Sequence, residues 1–369
     1  MRVQRAAHPH GRSTWGDRKL KSITAPACLL AFALLVGLAG GASEGELRAL
    51  GPAPRDAKGL FENWTPGLPR AGVSVTMPFF FRRLAGAFRE PKGLPDRVEP
   101  DVVGIQDAAA REPRVTWVGH ATLLVQMSGS AFLTDPIWSD TAGPAGLGAA
   151  RYDEPGLPID ALPAIDFVLV SHNHYDHLDL RSLAWISEDH PGARFFVPLG
   201  NAALLQDAGV SNVEELDWGE TRQVGAVTVH CLPAQHWSQR GIADTRKALW
   251  SSWAVTSPER RFYFGGDTGL FEGFEVIGRH LGPFDLSAVP IGAYEPKAMM
   301  FFAHMNPEEA VEAAIATRAR RMLGMHFGTF DLSDEPIDEP PRRFLAAAEA
   351  AGVPAGNAWI LKLGETRRF

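Results

Sequence analysis

The spacing of hydrophobic and polar positions changes near residue 114. Beyond it, residues 115–118, 122–126 and 131–134 are short runs of β-branched and aromatic side chains separated by Gly-containing turns. That pattern predicts a meander of three strands. Residues 166–170 (Asp-Phe-Val-Leu-Val) are apolar at consecutive positions after the first, as in a strand covered on both faces. Helical spacing follows at 181–188, 201–208, 270–280, 307–317 and 340–351. These helices alternate with strands expected at 194–197, 223–229, 248–255, 261–264, 286–291, 321–325 and 358–361. Pro307 at a first helical position, with Glu308 and Glu309 behind it, fits a helix start. Meanders followed by alternating elements suggest two mainly antiparallel or mixed sheets with helices outside. No internal repeat is visible.

The N-terminal third reads differently. Residues 44–112 are rich in Gly, Pro and Arg, and their weak periodicity predicts an irregular segment packed on the core, with an apolar cluster at Met77 to Phe81. Residues 1–43 hold six basic residues and a single acid, and Ile23 to Ser43 is a run of 21 residues without charge. A basic start, a short apolar core and small residues after it describe an export signal. The same run is long enough for an N-terminal membrane anchor. Either reading places the rest of the chain outside the cytoplasm or at a membrane.

Composition narrows the function classes. Of 369 residues, 45% are hydrophobic, which excludes a disordered chain. Two cysteines, Cys28 and Cys231, exclude a disulfide scaffold and a thiolate metal cluster. Beyond the leader, 30 basic residues face 42 acidic ones, a net −12 that argues against nucleic acid as a partner.

The strongest chemical signal is Ser171-His-Asn-His-Tyr-Asp-His177, directly after the apolar strand. His172 and His174 are two residues apart and point the same way on extended backbone. Asp176 and His177 come after a turn and can face a second centre. Imidazole and carboxylate donors suit zinc, and also iron or manganese. His236, Asp267 and His326 each fall just past an expected strand, where ligands are commonly presented. Asp267 stands within Gly265-Gly-Asp-Thr-Gly269, with backbone room to bridge two ions.

At these residues the chain resembles the metallo-β-lactamase superfamily, whose mark is His-x-His-x-Asp-His. It is similar to the branch of phospholipases D that hydrolyse N-acyl-phosphatidylethanolamine, and to the related ascorbate-phosphate lactonases. The likeness also runs through Thr116 to Thr122, Thr134 to Asp140, Arg151 to Pro155, His236 to Arg240, Leu249 to Trp253, Ile291 to Pro296, His304 to Glu309 and Met325 to Phe330. The resemblance implies an α/β (α+β) fold, a four-layer αββα sandwich of two mixed sheets with outer helices, forming a hydrolase domain over 113–369. It implies two zinc ions: one on His172, His174 and His236, the other on Asp176, His177 and His326, with Asp267 bridging. Asp267, Asp176 and His304 would serve catalysis, Asp267 and Asp176 orienting the ions or accepting a proton. His304 would sit near the substrate phosphate, or else cap the helix at 307. Lys297, Tyr294 and Tyr175 would contact substrate, with a packing role open for Tyr175. His120 and Asp135 would support the ligands from behind, with a turn role open for His120. Lys297 stands where these phospholipases tend to have Arg, which loses bidentate phosphate contact.

The implied reaction is hydrolysis of a phospholipid-like phosphodiester by a hydroxide shared between the ions. A lactonase or carboxylic-ester hydrolase is the enzyme alternative and would prefer a small polar pocket. A metal-free binding domain is the non-enzyme alternative. The apolar runs at 77–81 and 298–303 fit either core packing or contact with a membrane surface.

Overall fold

The computed structural model describes residues 50–66, 71–86, 92–107 and 112–369. The leader or anchor read over 1–43 lies outside the described residues. No helix among the described residues is long and apolar enough to cross a membrane.

Period-2 alternation builds two seven-stranded sheets. In spatial order, the first contains Thr366–Arg368, Arg114–Gly119, Thr122–Met127, Ser130–Thr134, Phe167–Leu169, Arg194–Pro198 and Val213–Leu216. The second contains Ala358–Trp359, Met322–Met325, Leu286–Pro290, Arg261–Phe264, Ser252–Thr256, Val227–Leu232 and Thr221–Val224. Each sheet begins as an antiparallel meander and turns parallel, the first where Phe167–Leu169 joins Ser130–Thr134 and the second where Leu286–Pro290 joins Arg261–Phe264. The halves therefore share one topological plan, although their sequences show no repeat. Parallel neighbours need crossover helices, which accounts for the alternation in the later part of each half.

Alternate residues of the first sheet face opposite layers. Trp117, Leu123, Val125, Phe132 and Phe167 enter the core between the sheets, while Leu124, Leu133, Val168 and Phe195 pack beneath helices Leu180–Asp189 and Ala202–Asp207. Phe132 stacks on Phe167 at 4.6 Å between centroids and meets Phe262 of the second sheet edge-on at 5.8 Å. Helices Gly273–His280, Pro307–Ala316 and Glu339–Ala350 cover the far face of the second sheet with Phe274, Ile277, Val311 and Phe344. The αββα sandwich expected from the sequence is thus present, helix Pro307–Ala316 beginning at the anticipated proline.

Several expectations change. The strand expected at 223–229 is a hairpin, Thr221–Val224 with Val227–Leu232, reversed at Gly225 with φ +54°. The strand expected at 248–255 starts only at Ser252, because Leu249 and Ser251 donate their N–H groups across to Leu199 and Ser171 of the first half. Two edge strands carried no apolar signal. Val213–Leu216 contains paired glutamates, and Thr366–Arg368 is polar yet pairs antiparallel with the first strand. Within 44–112, expected to be irregular, residues Val73–Gly86 form a helix. Its exposed positions mix Val73, Met77 and Phe81 with Ser74 and Arg82, so no amphipathic contrast marks it.

Phe132 is fully buried between the sheets. Replacing it by Ala should cost about 3–5 kcal/mol in urea unfolding, with little change in m. Val103→Ala, at a residue 83% exposed, should stay within about 0.5 kcal/mol of wild type.

Candidate metal centre

Loops leaving five strands converge on one cluster. Asp135 follows Ser130–Thr134, and His172 to His177 follow Phe167–Leu169. His236, Asp267 and His326 follow Val227–Leu232, Arg261–Phe264 and Met322–Met325. His304 follows the short helix Lys297–Met300. Strand ends at the parallel switch are where α/β sheets open crevices.

Three histidines form the first group. His174 Nδ1 lies 2.8 Å from His172 Nε2 and 3.2 Å from His236 Nε2. The far nitrogens fix the tautomers. His236 Nδ1–H donates to the Ala303 carbonyl at 2.9 Å. Ser171 Oγ donates to Asp135 Oδ2 at 2.6 Å and accepts from His172 Nδ1 at 2.9 Å. Both Nε2 atoms therefore aim bare lone pairs at one point.

Asp176, His177 and His326 form the second group. His177 donates from Nδ1 to Asp135 Oδ2 at 2.6 Å. Its Nε2 stands 3.1 Å from His326 Nε2, 3.1 Å from Asp267 Oδ2 and 3.3 Å from Asp176 Oδ2. Asp267 Oδ1 is 3.0 Å from His326 Nε2, while Oδ2 is 3.8 Å from His236 Nε2 and 3.9 Å from His304 Nδ1. Asp267 therefore stands between the two groups. His120 Nε2 joins the second group at 3.0 Å from Asp176 Oδ2.

The electrostatics of this cluster ask for positive charge. Asp135 and Asp267 are buried and Asp176 is nearly so, and their ion-pair partners among the described residues are all histidines. Burial works to lower His177 and His326, yet the adjoining carboxylates outweigh it, raising His177 well above the usual range and His326 to about 9. Burial also opposes ionisation of Asp176 and Asp267, but the histidines hold both well below ordinary carboxylates. Burial drives His172 and His236 well below their usual value, and His174 to about 4. His174 Nε2 is buried without a hydrogen-bond partner. Converging lone pairs, neutral imidazoles and ionised carboxylates fit divalent cations, and donor separations near 3 Å suit ligands about 2.0–2.2 Å from zinc.

Local backbone is shaped around the cluster. His120, Asp135 and His326 all have left-handed φ, at +53°, +36° and +62°. Such conformations cost about 1–3 kcal/mol each and gather at functional sites. Gly266 has φ +57°, and a Cβ there would lie 2.6 Å from Ser171 Cβ. That glycine lets the Asp267 loop press against the histidine loop.

The structure places Asp135 directly behind the donors, against His177 and Ser171, while His120 faces the Asp176 oxygen that His177 and His326 also approach. His304 faces the cluster and is not the helix cap, because Asn306 and Glu309 form a reciprocal capping box. Lys297, Tyr294 and Tyr175, read as substrate contacts, do not line the cavity described below. Lys297 is exposed at the start of its helix. Tyr294 is 3% exposed and donates its hydroxyl to Glu339 at 2.9 Å. Tyr175 donates to the Arg240 carbonyl at 3.0 Å, beneath the Arg240 guanidinium. These rings meet protein partners, so proximity in the motif does not amount to access.

Other supporting residues had no assigned role. Arg240 Nη1 donates to the Asn173 and Leu178 carbonyls and clamps the ligand loop. Asn63 Oδ1 accepts from the His236 N–H and from Trp250 Nε1, both at 2.9 Å, so the N-terminal segment steadies a donor 173 residues away. Ser171 was legible as the residue before the first histidine; Asn63 had no sequence signal.

A cavity of about 400 Å3 opens onto His174, Asp176, Asp267, His304 and His326. Its walls are apolar: Phe79, Trp237, Met299, Met300, Phe302 and Leu332. A second cavity of about 420 Å3, lined by Asn63, Thr65, Arg246 and His236 among others, shares Trp237 and Phe302 with it.

Residues 131–327 match the family model described as the beta-lactamase superfamily domain. The chain is 46% identical over 223 residues to the N-acyl-phosphatidylethanolamine-hydrolyzing phospholipase D 1 of Caenorhabditis elegans, covering 58% of this chain and 63% of that protein. It is 36% identical over 262 residues to the mitochondrial N-acyl-phosphatidylethanolamine-hydrolyzing phospholipase D of Saccharomyces cerevisiae, covering 69% of this chain and 55% of that protein. The alignments thus span less than two thirds of these relatives' length. A solved metallo hydrolase from the archaeon Ignicoccus hospitalis shares the fold at a TM-score of 0.53 and 22% identity, over 70% of this chain and 98% of its own. The chain belongs to the metallo-β-lactamase superfamily, and its two mixed sheets with outer helices carry that superfamily's fold.

Proposed function

We propose that this protein is a two-metal phosphodiesterase of phospholipase D type, acting on phospholipid-like diesters such as N-acyl-phosphatidylethanolamine. One observation carries the reading: an apolar-walled cavity of about 400 Å3 ends on the clustered histidines and aspartates. A hydrolase of small polar lactones or esters would leave the walls of Phe79, Met299, Met300 and Phe302 without a role. The second cavity beside Trp237 gives a diester room for its other limb. The relatives named for N-acyl-phosphatidylethanolamine hydrolysis point the same way. An export signal or anchor over 1–43 would bring the enzyme to such a substrate.

His172, His174 and His236 would hold one zinc ion, and Asp176, His177 and His326 the other, with Asp267 reaching both. Iron or manganese would suit the same donors. When bound, two such ions supply Lewis acidity and a hydroxide nucleophile at neutral pH. The chain's own groups do the rest. Asp135 holds the tautomer of His177 directly and of His172 through Ser171. Asp176 and Asp267, held ionised by the facing histidines, would orient the ions or accept a proton. His304 is lowered to about 4 by burial, against the pull of Asp267. As a neutral ring it would offer one N–H to a phosphoryl oxygen. The apolar walls exclude water from the reacting phosphorus and orient the acyl part of the substrate.

The wild-type chain should carry about two zinc ions, and a chelator should abolish turnover of bis(p-nitrophenyl) phosphate. Turnover of lactones or carboxylic esters alone would overturn the phosphodiester reading. His174→Ala should lose metal and activity together while its circular dichroism stays unchanged; wild-type turnover would overturn the metal assignment. Asp135→Asn should weaken metal retention by roughly 10–100-fold. His304→Ala should slow turnover by about 10²–10³ with metal content unchanged, and loss of metal would make His304 a ligand.

A further inference from the structure

The second cavity, of about 420 Å3, reaches His236 and shares Trp237 and Phe302 with the apolar one. Its own side chains are largely polar: Glu62, Asn63, Thr65, Thr245 and Arg246. Two of these carry opposite charge without satisfying each other. Glu62 Oε1 stands 3.9 Å from Arg246 Nη1, too far for a hydrogen bond, with the side chains 33% and 27% exposed. Both residues are held by the backbone around them. Glu62 donates its N–H to the Pro54 carbonyl at 2.8 Å, and Phe61 donates to the Arg246 carbonyl at 3.0 Å. Arg246 Nη2 donates to Asp56 Oδ2 at 2.8 Å and Nη1 to the Phe61 carbonyl at 3.2 Å. A guanidinium carries more N–H groups than these two contacts use, and the Glu62 carboxylate keeps its accepting oxygens. Arg246 also has left-handed φ, at +61°, a conformation that gathers at functional sites.

We propose that Glu62 and Arg246 determine specificity by reading the amide of an N-acylated headgroup in this cavity. The Glu62 carboxylate accepts the amide N–H, and the Arg246 guanidinium donates to the amide carbonyl. This rests on the phosphodiesterase reading above and names the part of the substrate that the second cavity selects. Charge decides among headgroups. A free ammonium would meet the Arg246 cation, and an anionic headgroup would meet Glu62 and Asp56; like-charge juxtaposition opposes both. A neutral amide brings one donor and one acceptor to a pair that offers an acceptor and a donor. An ester in its place keeps the carbonyl but leaves Glu62 unpaired, a difference that a polar site discriminates well.

Titration calorimetry on the full chain tests the pair without turnover, using N-hexanoylethanolamine and its ester analogue, 2-hydroxyethyl hexanoate. The amide should bind the wild-type chain about ten-fold tighter than the ester. Glu62→Met keeps the length of the side chain and removes the acceptor, so amide and ester should bind it alike, at the wild-type affinity for the ester. Glu62→Gln restores a neutral acceptor and should regain part of the preference. Equal affinities in the wild-type chain, or a preference that survives Glu62→Met, overturn the proposal. Tighter binding of N-hexylethanolamine, the charged amine of the same chain length, overturns it as well and makes the cavity an ammonium site. Amide preference in a chain that hydrolyses no diester would leave this pair standing and sink the proposed function instead. Diester hydrolysis without amide preference would do the reverse.

Discussion

Buried negative charge is the constraint around which this molecule is arranged. Asp135, Asp176 and Asp267 are withdrawn from solvent and, among the described residues, pair with histidines rather than Lys or Arg. An unpaired buried carboxylate costs several kcal/mol. The carboxylates in turn hold His177 and His326 above the ordinary imidazole range. With two divalent cations the same donors would be satisfied by the ions. The left-handed backbone at His120, Asp135 and His326, and the close approach at Gly266, are further costs incurred to bring the donors together.

The two sheets make that convergence possible. Because each half turns from antiparallel to parallel, successive loops emerge at one end and meet there. The inter-sheet core of Phe132, Phe167 and Phe262 fixes one half on the other, so donors from both are positioned by packing rather than by loop contacts alone. Trp253 Nε1 donates to the Val170 carbonyl at 3.0 Å, directly before the ligand loop, and ties the second sheet to that loop. The N-terminal segment adds to this through Asn63 and through the helix that forms part of the cavity wall.

Much of this was legible in the sequence where a residue's chemistry and its local pattern agree. The apolar strand at 166–170, the histidine loop after it, and the post-strand positions of His236, Asp267 and His326 needed no distant information. What was not legible depends on tertiary pairing. The polar edge strand Thr366–Arg368 exists because it completes a sheet begun at Arg114. The support from Asn63 joins positions 173 residues apart. Helix Val73–Gly86 mixes apolar Val73, Met77 and Phe81 with Ser74 and Arg82 on its exposed side, so hydrophobic spacing alone did not mark it. Tyr294 and Lys297 show the converse: they stand beside the site in sequence, yet one ring is buried against Glu339 and the other side chain is exposed at a helix start.

Crystallographic anomalous scattering at the zinc edge, on the zinc-loaded chain, tests the central claim most directly. The account predicts two peaks a few ångströms apart. One should lie among His172, His174 and His236, the other among Asp176, His177 and His326, with Asp267 touching both. A single peak, peaks outside these groups, or none in a zinc-saturated crystal would contradict it.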